Sequence, residues 1–263
     1  MPKFIIFSSK KTRLLFQENL SGNQEKTSSV KVTKNMKIAV LTGAGMSAES
    51  GVSTFRDAGG LWEGHDVMEV ASSQGWVKNP ALMLEFYNQR RRQLHQVKPN
   101  AGHLGLADLE KDHQVHIITQ NVDNLHERAG SSQVLHLHGE LLKARSTGNE
   151  NYVVHWENDL HLGDCCAEGY QLRPHIVWFG EAVPALSEAV SIVMQAEMVV
   201  VIGTSLQVYP AAGLIYYVRK NIPVFYIDPK PADVSFFQQK ITVIKNTAVN
   251  GVPLFIEALS KLV

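Results

Sequence analysis

Apolar residues in this chain gather in short runs separated by longer stretches of mixed polarity. KIAVLT (37–42), VHIIT (115–119), MVVVIG (198–203) and PVFYI (223–227) are of strand length and rich in β-branched side chains. Runs of this kind, without regular alternation, suit strands covered on both faces, as in a parallel sheet. Between them four segments read as helices: 80–97, opened by Asn79-Pro80; 101–111; 185–195; and 210–220, opened by Pro210. Strands alternating with helices predict an α/β fold on a doubly wound parallel sheet. Residues 143–172 break this rhythm, being polar and turn-rich. They predict a small inserted lobe, packed around Tyr152, Val154, Trp156, Leu160 and Leu162.

Composition narrows the picture. A chain of 263 residues, 44% hydrophobic, has enough apolar material for one large domain with a small insertion. Its 25 basic residues balance 25 acidic ones, which gives no global pull toward nucleic acid or anionic lipid. No apolar run reaches the roughly 18–20 residues of a membrane span. The two cysteines, adjacent at Cys165 and Cys166, exclude a disulfide framework and a four-cysteine metal site, and they point to a reducing, cytoplasmic compartment. Residues 1–35 stand apart, with seven Lys/Arg against two Glu. Three readings compete there: a transit peptide, a disordered extension, or translation starting at Met36, directly before the first strand. The remaining chain, 36–263, is expected to be the working domain.

Three polar clusters follow apolar runs. Gly43-Ala44-Gly45-Met46-Ser47-Ala48-Glu49 comes straight after the first. Two glycines there let the backbone turn tightly and approach a ligand, and a following helix would aim its amides at a pyrophosphate. Ala48 takes the place of a third glycine, and no acidic residue stands clearly about 20 positions on, so a dehydrogenase fits poorly. Residues 50–62 are too Gly-rich for a helix and read as an ordered loop carrying Phe55, Arg56 and Asp57. The second cluster, Gln120-Asn121-Val122-Asp123-Asn124, follows VHIIT. Its amides and carboxylate suit ribose hydroxyls or a carboxamide, and Asp123 equally suits a helix cap. The third is Leu135-His136-Leu137-His138-Gly139, whose alternation puts both histidines on one face. Nothing nearby completes a metal set around them. His136 reads as a buried, satisfied ring, and His138 as a general base working near neutral pH.

Together GAGMSAESGVSTFRD (43–57), TQNVDNLHERAG (119–130), HG (138–139), PHIVWFGE (174–181) and GTSLQVYPAA (203–212) resemble the sirtuin family of NAD-dependent protein-lysine deacylases. The resemblance runs over roughly 37–262 in the expected order and implies a Rossmann-like domain. It implies that Gly43, Ala44, Gly45, Ser47, Glu49 and Trp62 belong to the NAD-binding loop, with Phe55, Arg56 and Asp57 near the nicotinamide ribose. Gln120, Asn121, Val122 and Asp123 would line the nicotinamide and ribose pocket. His138 would be the catalytic base, with Asn121 and Asp123 in the catalytic set. Gly203, Thr204 and Ser205 would meet the adenosine end. Asp228, where the family usually has Asn, would lie near the adenine ribose with Pro229 and Lys230, and Ala248 near the adenine. The stretch 177–180 would form the strand and wall beside the substrate, through Val177, Phe179 and Gly180.

Tyr87 and Arg90, three apart on the helix at 80–97, share a face. They resemble the Tyr-x-x-Arg pair of class III sirtuins, which remove succinyl, malonyl and glutaryl groups as well as acetyl. A guanidinium and a phenol together suit a carboxylate. Arg91 and Arg92 read as solvated. Most sirtuins hold a structural zinc in the inserted lobe through two cysteine pairs. Here Ser146 stands where the first pair should begin, so a zinc-free lobe is expected, with NAD the one cofactor and acylated-lysine proteins the partners. Rival readings are an NAD glycohydrolase or ADP-ribosyltransferase using the same pocket, and an inactive NAD-responsive binding module.

Overall fold

The computed structural model describes residues 35–52, 61–62, 64–235 and 237–261. In chain order the strands are β1 (Lys37–Thr42), β2 (Leu61–Trp62), β3 (His65–Asp66), β4 (Gln114–Thr119), β5 (Val134–His136), β6 (Gly139–Ser146), β7 (Val153–His155), β8 (Leu172–Ile176), β9 (Met198–Ile202), β10 (Val224–Ile227) and β11 (Ile241–Ile244). The α-helices are α1 (Val67–Val70), α2 (Ser73–Lys78), α3 (Pro80–Gln96), α4 (Ala101–Leu109), α5 (Leu125–Ala129), α6 (Leu186–Gln195) and α7 (Ala248–Ser260).

Six strands form one parallel sheet in the order β11-β10-β9-β1-β4-β5. The four apolar runs are its inner strands, and alternate residues of each are buried on opposite faces. Ile38, Val40, Ile117, Val200 and Ile202 pack under Leu106 of α4 and Val252, Phe255 and Leu259 of α7. Ala39, Leu41, Ile118, Val199 and Val201 pack under Ala189 and Val193 of α6 and Leu214 and Ile215. Both faces are thus covered, which is why these strands read as continuous apolar runs. The predicted doubly wound α/β sheet is present.

Two predicted helices differ. The segment expected as a helix over 210–220 is a 3₁₀ run, Ala211–Tyr217. The helix expected after Gly45 is replaced by 3₁₀ turns at Ala44–Met46 and Ala48–Ser50. There the Gly45 N–H is taken by the Gly203 carbonyl at 2.8 Å, and the Ser47 hydroxyl bonds away from the turn, so a regular α-helical ladder is not started. Helix α7 was not anticipated.

β6, β7 and β8 form a separate antiparallel sheet in the order β7-β6-β8, so this second unit begins and ends outside the expected 143–172. Leu84, Ala144, Leu160, Cys166 and Leu172 form its core, with Tyr152, Val154 and Trp156 partly buried against them. Leu162 is not part of that core, being 57% exposed. Helix α3 packs on the small sheet. Asn79 caps it by accepting the Leu82 N–H at 3.0 Å, and Pro80 sits in its first turn. Its residues Met83, Phe86, Tyr87 and Leu94 pack with Leu141, Ile176 and Trp178 of the small sheet region.

Arg91 corrects the expectation of a solvated charge. It is 0% exposed, and burial pulls its pKa down to about 10. Its Nε donates to the Leu141 carbonyl at 3.2 Å and its Nη1 to Asn88 Oδ1 at 2.7 Å. Asn88 in turn donates to the Leu160 carbonyl at 3.0 Å and accepts the Leu160 N–H at 2.8 Å. The pair therefore pins helix α3 to the small sheet. Arg92, as expected, is on the surface, paired with Glu85 and Asp159.

Candidate active site

The loops leaving β1, β4, β9 and β10 meet at the carboxyl edge of the sheet, where α/β folds bind ligands. The Gly43 N–H donates to the Ile202 carbonyl at 3.0 Å, and the Gly203 N–H donates to the Ile227 carbonyl at 2.9 Å. With the Gly45–Gly203 bond, these link three strand ends into one rim. The approach is so close that a Cβ on Gly45 would lie 2.7 Å from Gly203 Cα. Gly203 itself has φ +62°, and a Cβ there would come within 2.4 Å of the Met46 nitrogen. Gln120 Nε2 ties the β4 loop to this rim, donating to Thr204 Oγ1 at 3.1 Å.

Behind the rim lies a buried polar network centred on Ser47. Ser47 donates to Asp123 Oδ2 at 2.9 Å and accepts from Asn121 Nδ2 at 3.1 Å. Asp123 Oδ1 also accepts the Leu125 N–H at 3.1 Å, so the carboxylate serves the start of α5 and the network together. Burial pushes the Asp123 pKa up. His103 Nδ1 accepts the Asn100 N–H at 3.3 Å, which leaves Nε2 as the protonated nitrogen facing Ser47 at 3.5 Å. Asn100 Oδ1 reciprocates by accepting the His103 N–H at 3.3 Å, a capping box that opens α4, and it also accepts the Gly102 N–H at 2.9 Å. His126 Nε2 stands 3.1 Å from Thr42 Oγ1, which donates to Thr119 Oγ1 at 2.8 Å. Burial pulls His103 down to about 4 and His126 well below its ordinary value, so both rings are neutral. Neither histidine was singled out from the sequence. The signal was present in Asn100-x-x-His103, a cap spacing directly before an apolar helix.

The two histidines after β4 have different surroundings. His136 Nδ1 meets the Asn121 carbonyl at 3.0 Å and its Nε2 meets Glu127 at 2.7 Å. Burial opposes its charge, but the Glu127 carboxylate outweighs it and raises the pKa. His138 Nδ1 lies 3.0 Å from the Gln120 carbonyl, which can only accept, so Nδ1 carries the proton and Nε2 keeps a lone pair. Burial lowers the His138 pKa, partly offset by that carbonyl. The arrangement leaves the Nε2 lone pair of His138 available to accept a proton.

The remaining candidates are placed as follows. Ala44 and Ser205 are half-buried on the rim. Glu49 is exposed and accepts the Val249 N–H at 3.1 Å, next to buried Ala248 at the start of α7. Asp228 is buried directly after β10 and accepts the Lys230 N–H at 2.8 Å, while Pro229 and Lys230 are exposed. Val122 is half-buried, and its carbonyl accepts the Leu141 N–H at 2.8 Å. Trp62 packs edge-on against Phe86 at 4.9 Å. Phe55, Arg56 and Asp57 lie outside the described residues. The Val177 N–H donates to the His138 carbonyl at 2.9 Å and the Phe179 N–H to Ala71 at 2.8 Å, with Phe179 and Gly180 exposed. Tyr87 and Arg90 lie on α3, with the Arg90 guanidinium 4.0 Å from the Phe86 ring centre.

In the small sheet, Ser146 Oγ accepts the Gly148 and Asn149 N–H groups at 3.1 and 3.2 Å and meets Cys166 Sγ at 3.4 Å. Among the described residues no three His, Cys, Asp or Glu side chains gather as a metal set.

A six-stranded parallel sheet with a polar, histidine-bearing carboxyl edge, joined to a second antiparallel sheet, defines an α/β protein whose candidate ligand site lies at that edge. Residues 43–210 match the model of the Sir2 family, and the chain belongs to that family. It is 60% identical over 214 residues to an NAD-dependent protein deacylase of Helicobacter pylori, covering 81% of this chain and 93% of that protein. A deacylase of the same description from Bacteroides thetaiotaomicron is 55% identical over 221 residues, covering 82% and 94%. Among solved structures, a Sir2 homologue–NAD complex superposes with TM-score 0.77 at 35% identity, covering 87% of this chain and 91% of that one. A Sir2–p53 peptide–NAD+ complex gives 0.70 at 29% identity, covering 87% and 95%.

Proposed function

We propose that this chain is an NAD-dependent protein-lysine deacylase that removes acetyl and acidic acyl groups such as succinyl and malonyl. The observation that carries the reading is His138, whose Nε2 lone pair is fixed by the Nδ1 contact to Gln120 at the carboxyl edge of the sheet. Bound NAD would supply an activated ribose carbon for the acyl oxygen, and with one water consumed the products would be nicotinamide, the free lysine and 2′-O-acyl-ADP-ribose. The donors and acceptors on the rim fit such a dinucleotide. Thr204, Ser205 and Asp228 would hold its adenosine half, and Gln120, Asn121 and Asp123 its nicotinamide half. His138 would take the proton from a ribose hydroxyl, a contribution of roughly 10²–10⁴ in rate. Val177 and Phe179 would line the acyl-lysine and keep water away.

The acidic-acyl part rests on Tyr87 and Arg90. They lie one turn apart on α3, and the Arg90 cation is near enough to bear on the Tyr87 phenol. We read the small sheet as held by its apolar core and the Ser146 hydrogen bonds rather than by zinc.

The test is NAD-dependent deacylation of one lysine peptide carrying acetyl or succinyl. Wild type should turn over both. His138→Ala should lose 10²-fold or more on both while still binding NAD. Arg90→Met should lose succinyl turnover and keep acetyl turnover. Acetyl activity alone in wild type sinks the acidic-acyl reading, and nicotinamide release that needs no peptide sinks the deacylase reading.

A further inference from the structure

Trp178 holds the Tyr87 hydroxyl in a defined polarity. Its indole Nε1 lies 3.0 Å from the Tyr87 oxygen, and an indole N–H can only donate. The phenol oxygen is therefore the acceptor, and its single proton must go elsewhere. Among the described residues the Tyr87 hydroxyl makes no other hydrogen bond. The phenol is completely buried, and burial raises its pKa well above the ordinary value, so the proton stays on. Among the described residues Tyr87 is thus a buried donor without an acceptor of its own.

The indole is itself fixed. The Trp178 backbone N–H donates to Glu181 at 2.9 Å, and the Arg173 guanidinium stacks 3.3 Å above its ring centre. Glu181 holds Arg173 at 2.6 Å and Arg145 at 3.0 Å, so the ring sits against an ion-paired cluster. Trp76 packs beside it, with ring centres 5.5 Å apart.

We propose that Trp178 is a positioning residue for acyl selectivity: by donating to the Tyr87 oxygen it commits the Tyr87 proton to the carboxylate of an acidic acyl chain. The inference rests on the acidic-acyl reading given above. An acetyl group has no carboxylate to receive that proton, so the effect is confined to acidic substrates.

The experiment compares Trp178→Phe, which keeps an aromatic ring under Arg173 and loses the N–H, with Tyr87→Phe and the double variant. Each is assayed on acetyl and succinyl forms of one peptide with saturating NAD. Acetyl turnover reports on the fold and the shared wall, so the quantity read is the ratio of succinyl to acetyl kcat/KM. Trp178→Phe should lower that ratio about fivefold, through the KM of the succinyl peptide, as expected for one neutral hydrogen bond. In the Tyr87→Phe background the same change should move it less than twofold. An unchanged ratio in Trp178→Phe, or an equal fall with and without Tyr87, overturns the inference while leaving the acidic-acyl reading intact. A wild-type enzyme that ignores the succinyl peptide overturns both.

Discussion

Alanine at Gly203 meets two obstacles at once. The backbone there has φ +62°, a left-handed conformation that costs an L side chain roughly 1–2 kcal/mol. In addition, the new Cβ would lie 2.4 Å from the Met46 nitrogen and 2.5 Å from the Gly45 carbonyl carbon. Those are main-chain atoms of a loop bonded back onto Gly203, so they yield only if the loop lifts, and overpacking of this kind costs about 1–3 kcal/mol more. The total is about 2–5 kcal/mol. Gly163 is the control, because its φ is +97° and a Cβ there meets nothing within 4 Å. Gly163→Ala should carry the conformational cost alone. At about 2–4 °C per kcal/mol for a chain of this size, Gly203→Ala should melt roughly 2–12 °C below Gly163→Ala. Scanning calorimetry with and without NAD reads both effects: NAD should raise the melting temperature of Gly163→Ala and fail to raise that of Gly203→Ala. If the two variants melt together and respond alike to NAD, the loop is not fixed against β9 and the rim described above is wrong.

Two further outcomes follow from buried groups. His103 is held near 4 by burial, while the unfolded ring titrates near 6.5. Acid therefore protonates the unfolded chain first, and stability should fall as pH drops from about 6.5 to about 4, by up to about 3 kcal/mol for this ring. His126 acts in the same direction and His136, whose pKa is raised, acts against it; His103→Gln should flatten the melting temperature against pH between 6.5 and 5. Asn88→Ala removes both bonds to Leu160 and the Arg91 partner, at about 1 kcal/mol each. Hydrogen exchange should then speed up across 153–172 and stay slow in β1 and β9.

The inner strands were legible because burial on both faces leaves no polar register to obscure them. β6 was not, since its burial alternates and its outer face carries Glu140, Lys143 and Arg145. Helix α7 hid behind Gly251 and Pro253, two residues that usually break helices. Gly251 is required there, because a Cβ would strike Ile227 at 2.2 Å where the helix crosses β10. Arg91 was misread from a run of like charges. On a helix, residues 90, 91 and 92 point about 100° apart, and 91 shares its face with Leu84, Tyr87, Asn88 and Leu94, all buried. At the site, local motifs placed Ser47, Asn121, Asp123 and His138. The Trp178–Tyr87 contact joins residues 91 apart in sequence, and no local pattern announces it.

The position of β1 has a consequence for how the chain is made. Among the described residues it is the first strand to leave the ribosome, yet it lies inside the sheet, with β4 on one side and β9 on the other. Ile38 pairs with Val115 and with Met198, so its second neighbour is synthesised 160 residues later. At 5–20 residues per second that delay is roughly 10–30 s, during which an apolar strand edge stays open to other chains. The rim joining Gly43, Gly203 and Ile227 closes later still, because its last carbonyl is made a further 29 residues after Met198.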